Sequence, residues 1–184
     1  MIIIGLGSNL TTEKYSTSRE ILEAAIALLI KKGVKVEKTS NFYETEPVPK
    51  SDQPWFVNAA ICVTTSLNAQ ELLNTLHGVE SELGRIRKEK WEARIIDLDL
   101  LCYDDLVFPN KAEWVKKASQ DNPEGSIIPH IRLHERDFVL IPMIDVAADW
   151  MHPIYNKNTL NMLNDLDSVG IVRLLSAKKA KLTR

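Results

Sequence analysis

Residues 95–103 read Ile-Ile-Asp-Leu-Asp-Leu-Leu-Cys-Tyr, and this alternation constrains the chain more than any other feature. Side chains two apart on a strand point to the same face. Ile96, Leu98 and Leu100 therefore go one way, and Asp97 and Asp99 the other. Adjacent carboxylates repel unless something positive sits between them, and Mg²⁺, which prefers oxygen ligands, is the usual answer. A solvent-facing strand surface also accommodates the pattern. Just upstream, Arg85, Arg87, Lys88, Lys90 and Arg94 form a basic stretch ending three residues before Asp97. A charge run alone is more often a solvated loop. Beside the two carboxylates it suits a metal-bridged phosphate, with carboxylates on the metal and guanidinium groups on the remaining oxygens.

The rest of the chain supplies a frame for that strand. Ile2 to Leu6 reads as a buried strand, with Gly5 and Gly7 as a tight turn at its end. Ile21, Ala24, Ala25, Leu28 and Leu29 repeat at helical spacing, so a helix is expected over about 16–32, stopped at Gly33. Residues 34–44 alternate as a strand that places Tyr43 in the core. Pro47, Pro49 and Pro54 make 45–55 an ordered loop. A strand over 56–66 follows, and then a helix capped by Asn68 and Glu71 that runs to Gly84. Residues 110–126 are polar, with 121–125 reading as a turn or mobile loop. A helix begins near His134 and runs to Val146, with Pro142 predicting a kink or an early stop. Beyond Trp150 the signal weakens into a basic tail at 178–184. Strand, helix, strand, strand, helix, strand predicts an α+β, ferredoxin-like antiparallel sheet flanked by helices, with the helices on one face.

Composition narrows the function classes. The 184 residues are 45% hydrophobic and 26% charged, the profile of one soluble domain. A net charge of −2 offers no global field for nucleic acid. The apolar run 24–30 is far short of the about 20 residues of a membrane span. Met1 to Gly5 lacks the features of a signal peptide. Cys62 and Cys102 lie apart in apolar segments, as reduced core thiols of a cytoplasmic protein. A monomer without nucleic-acid or membrane partners is expected.

Other chemistries fit less well. The Gly5-Leu-Gly-Ser sequence lacks the third glycine of a dinucleotide fingerprint, and no P-loop occurs. His130 and His134 have helical i, i+4 spacing, but no Glu follows His130 and Pro129 precedes it, which disfavours zinc. His77 and His152 are expected at the surface. Phe56 and Asn58 share one face of their strand, an aromatic plate beside an amide that suits a flat heterocycle. A ferredoxin-like module that binds nucleotide or RNA without chemistry would make no use of adjacent Asp97 and Asp99, and no RNA-stacking run exists.

Several segments together resemble the 6-hydroxymethyl-7,8-dihydropterin pyrophosphokinase family. They are Gly5-Leu-Gly-Ser-Asn-Leu10, Ser40-Asn-Phe-Tyr-Glu-Thr45, Gln53 to Ala60, Glu80-Ser-Glu-Leu-Gly-Arg85-Ile-Arg87, Trp91 to Leu100, Ile128-Pro-His130 and Arg136-Asp-Phe138. The resemblance covers 1–153 and leaves 154–184 as a C-terminal extension without an assigned role. It departs from the family at Glu92-Ala93, where Gly-Pro is usual. It implies transfer of pyrophosphate from ATP to the pterin hydroxymethyl group, releasing AMP. Asp97 and Asp99 would hold two Mg²⁺ ions, and Arg85 and Arg94 would close over the triphosphate as catalytic groups. Glu80, Arg87, Leu100, His130 and Arg136 would serve ATP. Thr45, Pro47, Val48, Phe56, Asn58, Trp91 and Phe138 would hold the pterin.

Overall fold

The computed structural model describes residues 1–85, 94–121, 123–167 and 169–175. Its centre is an antiparallel sheet built from β1 (Ile2–Ser8), β2 (Lys35–Thr39), β3 (Tyr43–Thr45), β4 (Phe56–Thr64), β5 (Asp97–Tyr103) and β6 (Val172–Leu174). The order is β5-β1-β4-β3-β6, with β2 also pairing β4. The two β-α-β units cross so that β1 and β4 lie centrally and β5 flanks β1, as expected for the ferredoxin-like arrangement.

Helices cover both faces, not one as expected. Ile2, Ile4 and Leu6 of β1 pack with Leu22, Ala25 and Leu29 of α1 (Ser18–Lys31) and Leu72, Leu76 and Val79 of α2 (Ala69–Glu82). Ile3 points the other way, toward Leu140, Met143 and Val146 of α4 (Asp137–Ala147). A run of three isoleucines on a central strand must bury both of its faces. Thr17 and Glu20 form a capping box on α1, and Asn68 and Glu71 form one on α2. Each satisfies backbone N–H groups that the first helical turn leaves open.

The strand expected over 34–44 is two pieces. Buried Ser40 donates its backbone N–H to Ala60, and its hydroxyl accepts the Ala60 N–H at 2.9 Å. A side-chain oxygen thus replaces a ladder carbonyl and interrupts the strand. Tyr43 is half-buried, not core, and its hydroxyl donates to Asp145 at 2.8 Å. The polar stretch 110–126 contains a helix, α3 (Lys111–Ala118), capped by Asn110. One fully buried residue, Trp114, anchors it, and its indole N–H donates to the Pro129 carbonyl at 2.9 Å. Eight residues with a single anchor show no periodicity to read.

His134 lies in a short 3₁₀ turn (Leu133–Glu135), and α4 starts after it, so His130 and His134 do not share a helix. The helix continues through Pro142 without stopping there. Beyond Trp150, α5 (Thr159–Asn164) buries Met162 against the α4 side of the core, and the Thr159 hydroxyl donates to the Ala147 carbonyl at 2.7 Å. β6 then pairs with β3, and Arg173 stacks on Trp55 at 4.5 Å. No helix among the described residues is long and apolar enough to cross a membrane.

His152 is fully buried, which contradicts the expected surface position. Its Nδ1 accepts backbone N–H groups of Ile154 and Tyr155 at 3.2 and 3.4 Å, and the rings of Trp114, Trp150, His134 and Tyr155 enclose it. Burial, with help from His134, pushes its pKa down to about 4. A histidine depressed in the folded state is protonated first in the unfolded chain. Its contribution is complete above the unfolded value and lost as pH falls from about 6.5 toward 4, a loss of about 3 kcal/mol. Urea unfolding at pH 7 and pH 4.5 should show this fall in the wild type and a flatter profile in His152→Leu. Equal pH slopes in both proteins would remove His152 as the cause.

Candidate active site

The site is laid out on rows of the sheet. Gly7 of β1 pairs with Asp97 of β5 on one side and Asn58 of β4 on the other, and Gly5 pairs with Asp99 and Ala60. Directly opposed residues point to the same face, so Gly7 lies between the Asp97 carboxylate and the Asn58 amide, and Gly5 between Asp99 and Ala60. The two glycines are within β1, not in a turn after it: Gly7 leaves the floor beside Asn58 without a side chain, and the Leu101 side chain packs over Gly5. A Cβ on Gly7 would sit 3.0 Å from the Asn58 Oδ1. Two strand spacings separate Asp97 from Asn58, roughly 10 Å.

Above this floor lies a cavity of about 480 Å³. One wall is the loop 45–53 with Phe56, and it includes Thr45, Pro47 and Val48. The other carries His130, Arg136 and Phe138. Thr45 accepts the Asn58 Nδ2–H at 2.7 Å, which fixes the amide's orientation. The backbone N–H of His130 donates to the Leu101 carbonyl at 2.8 Å and docks that segment on β5. Asp137, the first residue of α4, accepts backbone N–H groups from Phe138 and Gly170, so the end of the helix bearing Phe138 is held by residues next to β6.

The charges are arranged asymmetrically. Arg85 and Arg94 both pair with Asp97, the former at 2.6 Å, and Arg85 also pairs with buried Glu80. Glu80 accepts the Leu98 backbone N–H at 2.8 Å, which ties α2 to β5. Burial would raise the Asp97 pKa, but Arg94 and Arg85 outweigh it and hold the carboxyl below its ordinary value. Asp99 is raised, first by burial and then by Asp97, with only partial relief from His130 and Arg136. Burial also lowers the pKa of His130 and of Arg136. A buried carboxylate raised by its like-charged neighbour favours a cation, and two carboxylates facing one cavity offer the oxygen donors that Mg²⁺ takes. The residues present therefore fit that ion.

Of the residues expected from sequence, Thr45, Pro47, Val48, Phe56, Asn58, Arg94, Asp97, Asp99, His130, Arg136 and Phe138 line one cavity. Arg85 and Glu80 reach it through Asp97. The Leu100 side chain points away, into the core under α1 and α2. Arg87, Trp91 and Glu92-Ala93 lie outside the described residues. Gly5, Gly7, Gln53, Asp121 and Arg132 also line the cavity and were not assigned from sequence. The two glycines could have been found by noting that their spacing of two matches that of the aspartates.

Paired carboxylates, arginines and aromatic side chains around one cavity are features that suit a phosphoryl-transferring enzyme with a flat substrate. Residues 3–148 match the family model described as 7,8-dihydro-6-hydroxymethylpterin-pyrophosphokinase (HPPK). The chain belongs to this family. It is 33% identical to the 2-amino-4-hydroxy-6-hydroxymethyldihydropteridine pyrophosphokinase of Methylorubrum extorquens, covering 93% of this chain and 96% of that protein. It is 34% identical to the Haemophilus influenzae protein of the same name, covering 82% and 83%. The folic acid synthesis protein fol1 of Pneumocystis carinii is 40% identical over 83% of this chain, which spans only 18% of that longer protein. Wild-type HPPK-DHPS of Plasmodium falciparum superposes with a TM-score of 0.64 at 18% identity, over 89% of this chain and 44% of that one, a likeness of fold.

Proposed function

We propose that this protein transfers the pyrophosphoryl group of ATP to the hydroxymethyl oxygen of 6-hydroxymethyl-7,8-dihydropterin, giving the pterin diphosphate and AMP in folate biosynthesis. One observation carries the reading: Asp97 and Asp99 face the same cavity as Phe56, Asn58 and Phe138 across a floor of glycine. In balance, the hydroxyl oxygen bonds to the β-phosphorus and loses its proton, and the bond from that phosphorus to the α–β bridging oxygen breaks.

Each residue has a role set by its place. Phe56 and Phe138 supply aromatic surface to the pterin, and Asn58, held by Thr45, presents its carboxamide to the ring's edge. The 45–48 segment closes the other side. Asp97 and Asp99 would hold two Mg²⁺ ions, which when bound neutralise triphosphate charge and align it for in-line displacement. His130 and Arg136 reach phosphate oxygens from the opposite wall. Arg85 and Arg94, placed beside Asp97, meet the charge that gathers on the bridging oxygen as the bond breaks, where a guanidinium contributes most. We further propose a cytoplasmic monomer acting on these two small molecules.

The test is AMP release from ATP, Mg²⁺ and hydroxymethyl-dihydropterin. Asp97→Ala and Asp99→Ala should each lower kcat about a thousandfold, a loss of about 4 kcal/mol in transition-state stabilisation, without unfolding the protein. Near-normal turnover by either variant at saturating Mg²⁺ would sink the mechanism. For the pocket, Phe56→Ala or Phe138→Ala should weaken pterin binding by about 1–3 kcal/mol and leave ATP binding nearly unchanged. Calorimetry in the presence of a non-hydrolysable ATP analogue reads this directly. Equal losses for both ligands would indicate a packing defect instead.

A further inference from the structure

Asn9 lies just past β1 and is only 3% exposed. Its backbone N–H donates to the Arg94 carbonyl at 3.0 Å, and its Oδ1 accepts the Arg94 backbone N–H at 2.6 Å. Its Nδ2 donates to the Pro54 carbonyl at 3.1 Å and to the Gln53 Oε1 at 3.2 Å. The orientation of the carboxamide is fixed by chemistry, because a backbone N–H can only donate and a backbone carbonyl can only accept. Both amide hydrogens and the amide oxygen are engaged. An aspartate there lacks the donors, and a serine or alanine cannot reach both partners.

The two partners belong to opposite halves of the reaction. Gln53 lines the cavity and Pro54 lies two residues before Phe56, on the pterin wall. Arg94 carries a guanidinium paired with Asp97, on the phosphate side. We propose that Asn9 is a positioning residue for the reaction, one carboxamide that ties the pterin-wall loop to the backbone of Arg94. A pterin that settles the loop then also settles the arginine. This inference rests on the pyrophosphoryl-transfer reading above and adds to it the element that registers one substrate's wall to the other substrate's catalytic group. Asn9 is not among the residues that line the cavity. It acts through Arg94, so its effect should vanish when the guanidinium is gone.

A double-mutant cycle tests this with single-turnover rates at saturating ATP, Mg²⁺ and pterin. Wild-type turnover is the control for the reaction itself: if the wild type forms no AMP, the functional reading fails and not the role of Asn9. Asn9→Ala should slow the single-turnover step roughly 10- to 100-fold, the effect of misplacing a catalytic group by about 1 Å, while the ATP dissociation constant changes less than about threefold. In an Arg94→Ala background the same substitution should slow the step less than about threefold. A full-size loss in that background would overturn the proposal, because Asn9 would then act independently of Arg94. If Asn9→Ala does not fold by circular dichroism, the same cycle with Gln53→Ala decides. This variant removes one acceptor on the loop side and leaves both bonds between Asn9 and Arg94. Its smaller loss should likewise disappear in the Arg94→Ala background, and persistence there would overturn the proposal equally.

Discussion

Two carboxylates, side by side on a strand facing a cavity, set the terms for everything around them. Like charges at that spacing oppose each other, and burial makes each harder to ionise. The chain resolves the conflict unequally. Asp97 receives two guanidinium groups and stays ionised, whereas Asp99 is left with distant help and a raised pKa. The result is a site whose remaining electrostatic demand is for a cation. The surrounding fold serves that demand. Gly7 keeps the space between Asp97 and Asn58 open, and Glu80 on α2 holds both Arg85 and the backbone of Leu98.

The same sheet explains how two unlike substrates can share one cavity. The row Asp97–Gly7–Asn58 places the carboxylate side and the flat aromatic side on β5 and β4, the two strands that flank β1 in a rigid ladder. Their separation is set by strand spacing, which side-chain motion does not alter. The adjustable parts are the walls. The loop 45–55 is tied to β1 through Asn9, and the start of α4 is tied to the residues leading into β6 through Asp137. Sites built on strands with walls fastened at single points combine precision with the capacity to close.

Much of this was legible in the sequence where periodicity was strong. The Asp-x-Asp alternation predicted the shared face of Asp97 and Asp99, and capping residues at Asn68 and Glu71 marked the start of α2. Phe56 and Asn58 fell on one face as their spacing required. The misses have physical causes. Gly5 and Gly7 resembled a turn because glycine is usually read as punctuation, yet here the lack of a side chain inside a strand is what the cavity requires. α3 depends on Trp114 docking far from its neighbours in sequence, and His152 is buried by rings contributed from separate segments. Ser40 breaks its strand through a side-chain bond to β4 that no local pattern records. Tertiary partners decided α3, His152 and Ser40, so the local sequence carried no signal of these three.

The central claim is that Asp97 and Asp99 accept a triphosphate only with a divalent cation between. Calorimetric titration with an α,β-methylene analogue of ATP, with and without Mg²⁺, tests it most directly. The account predicts measurable binding with Mg²⁺ and a loss of about a hundredfold or more without it, since Asp99, and Asp97 behind its arginines, would then face the phosphates with no cation between. Equal affinity in both conditions would contradict it.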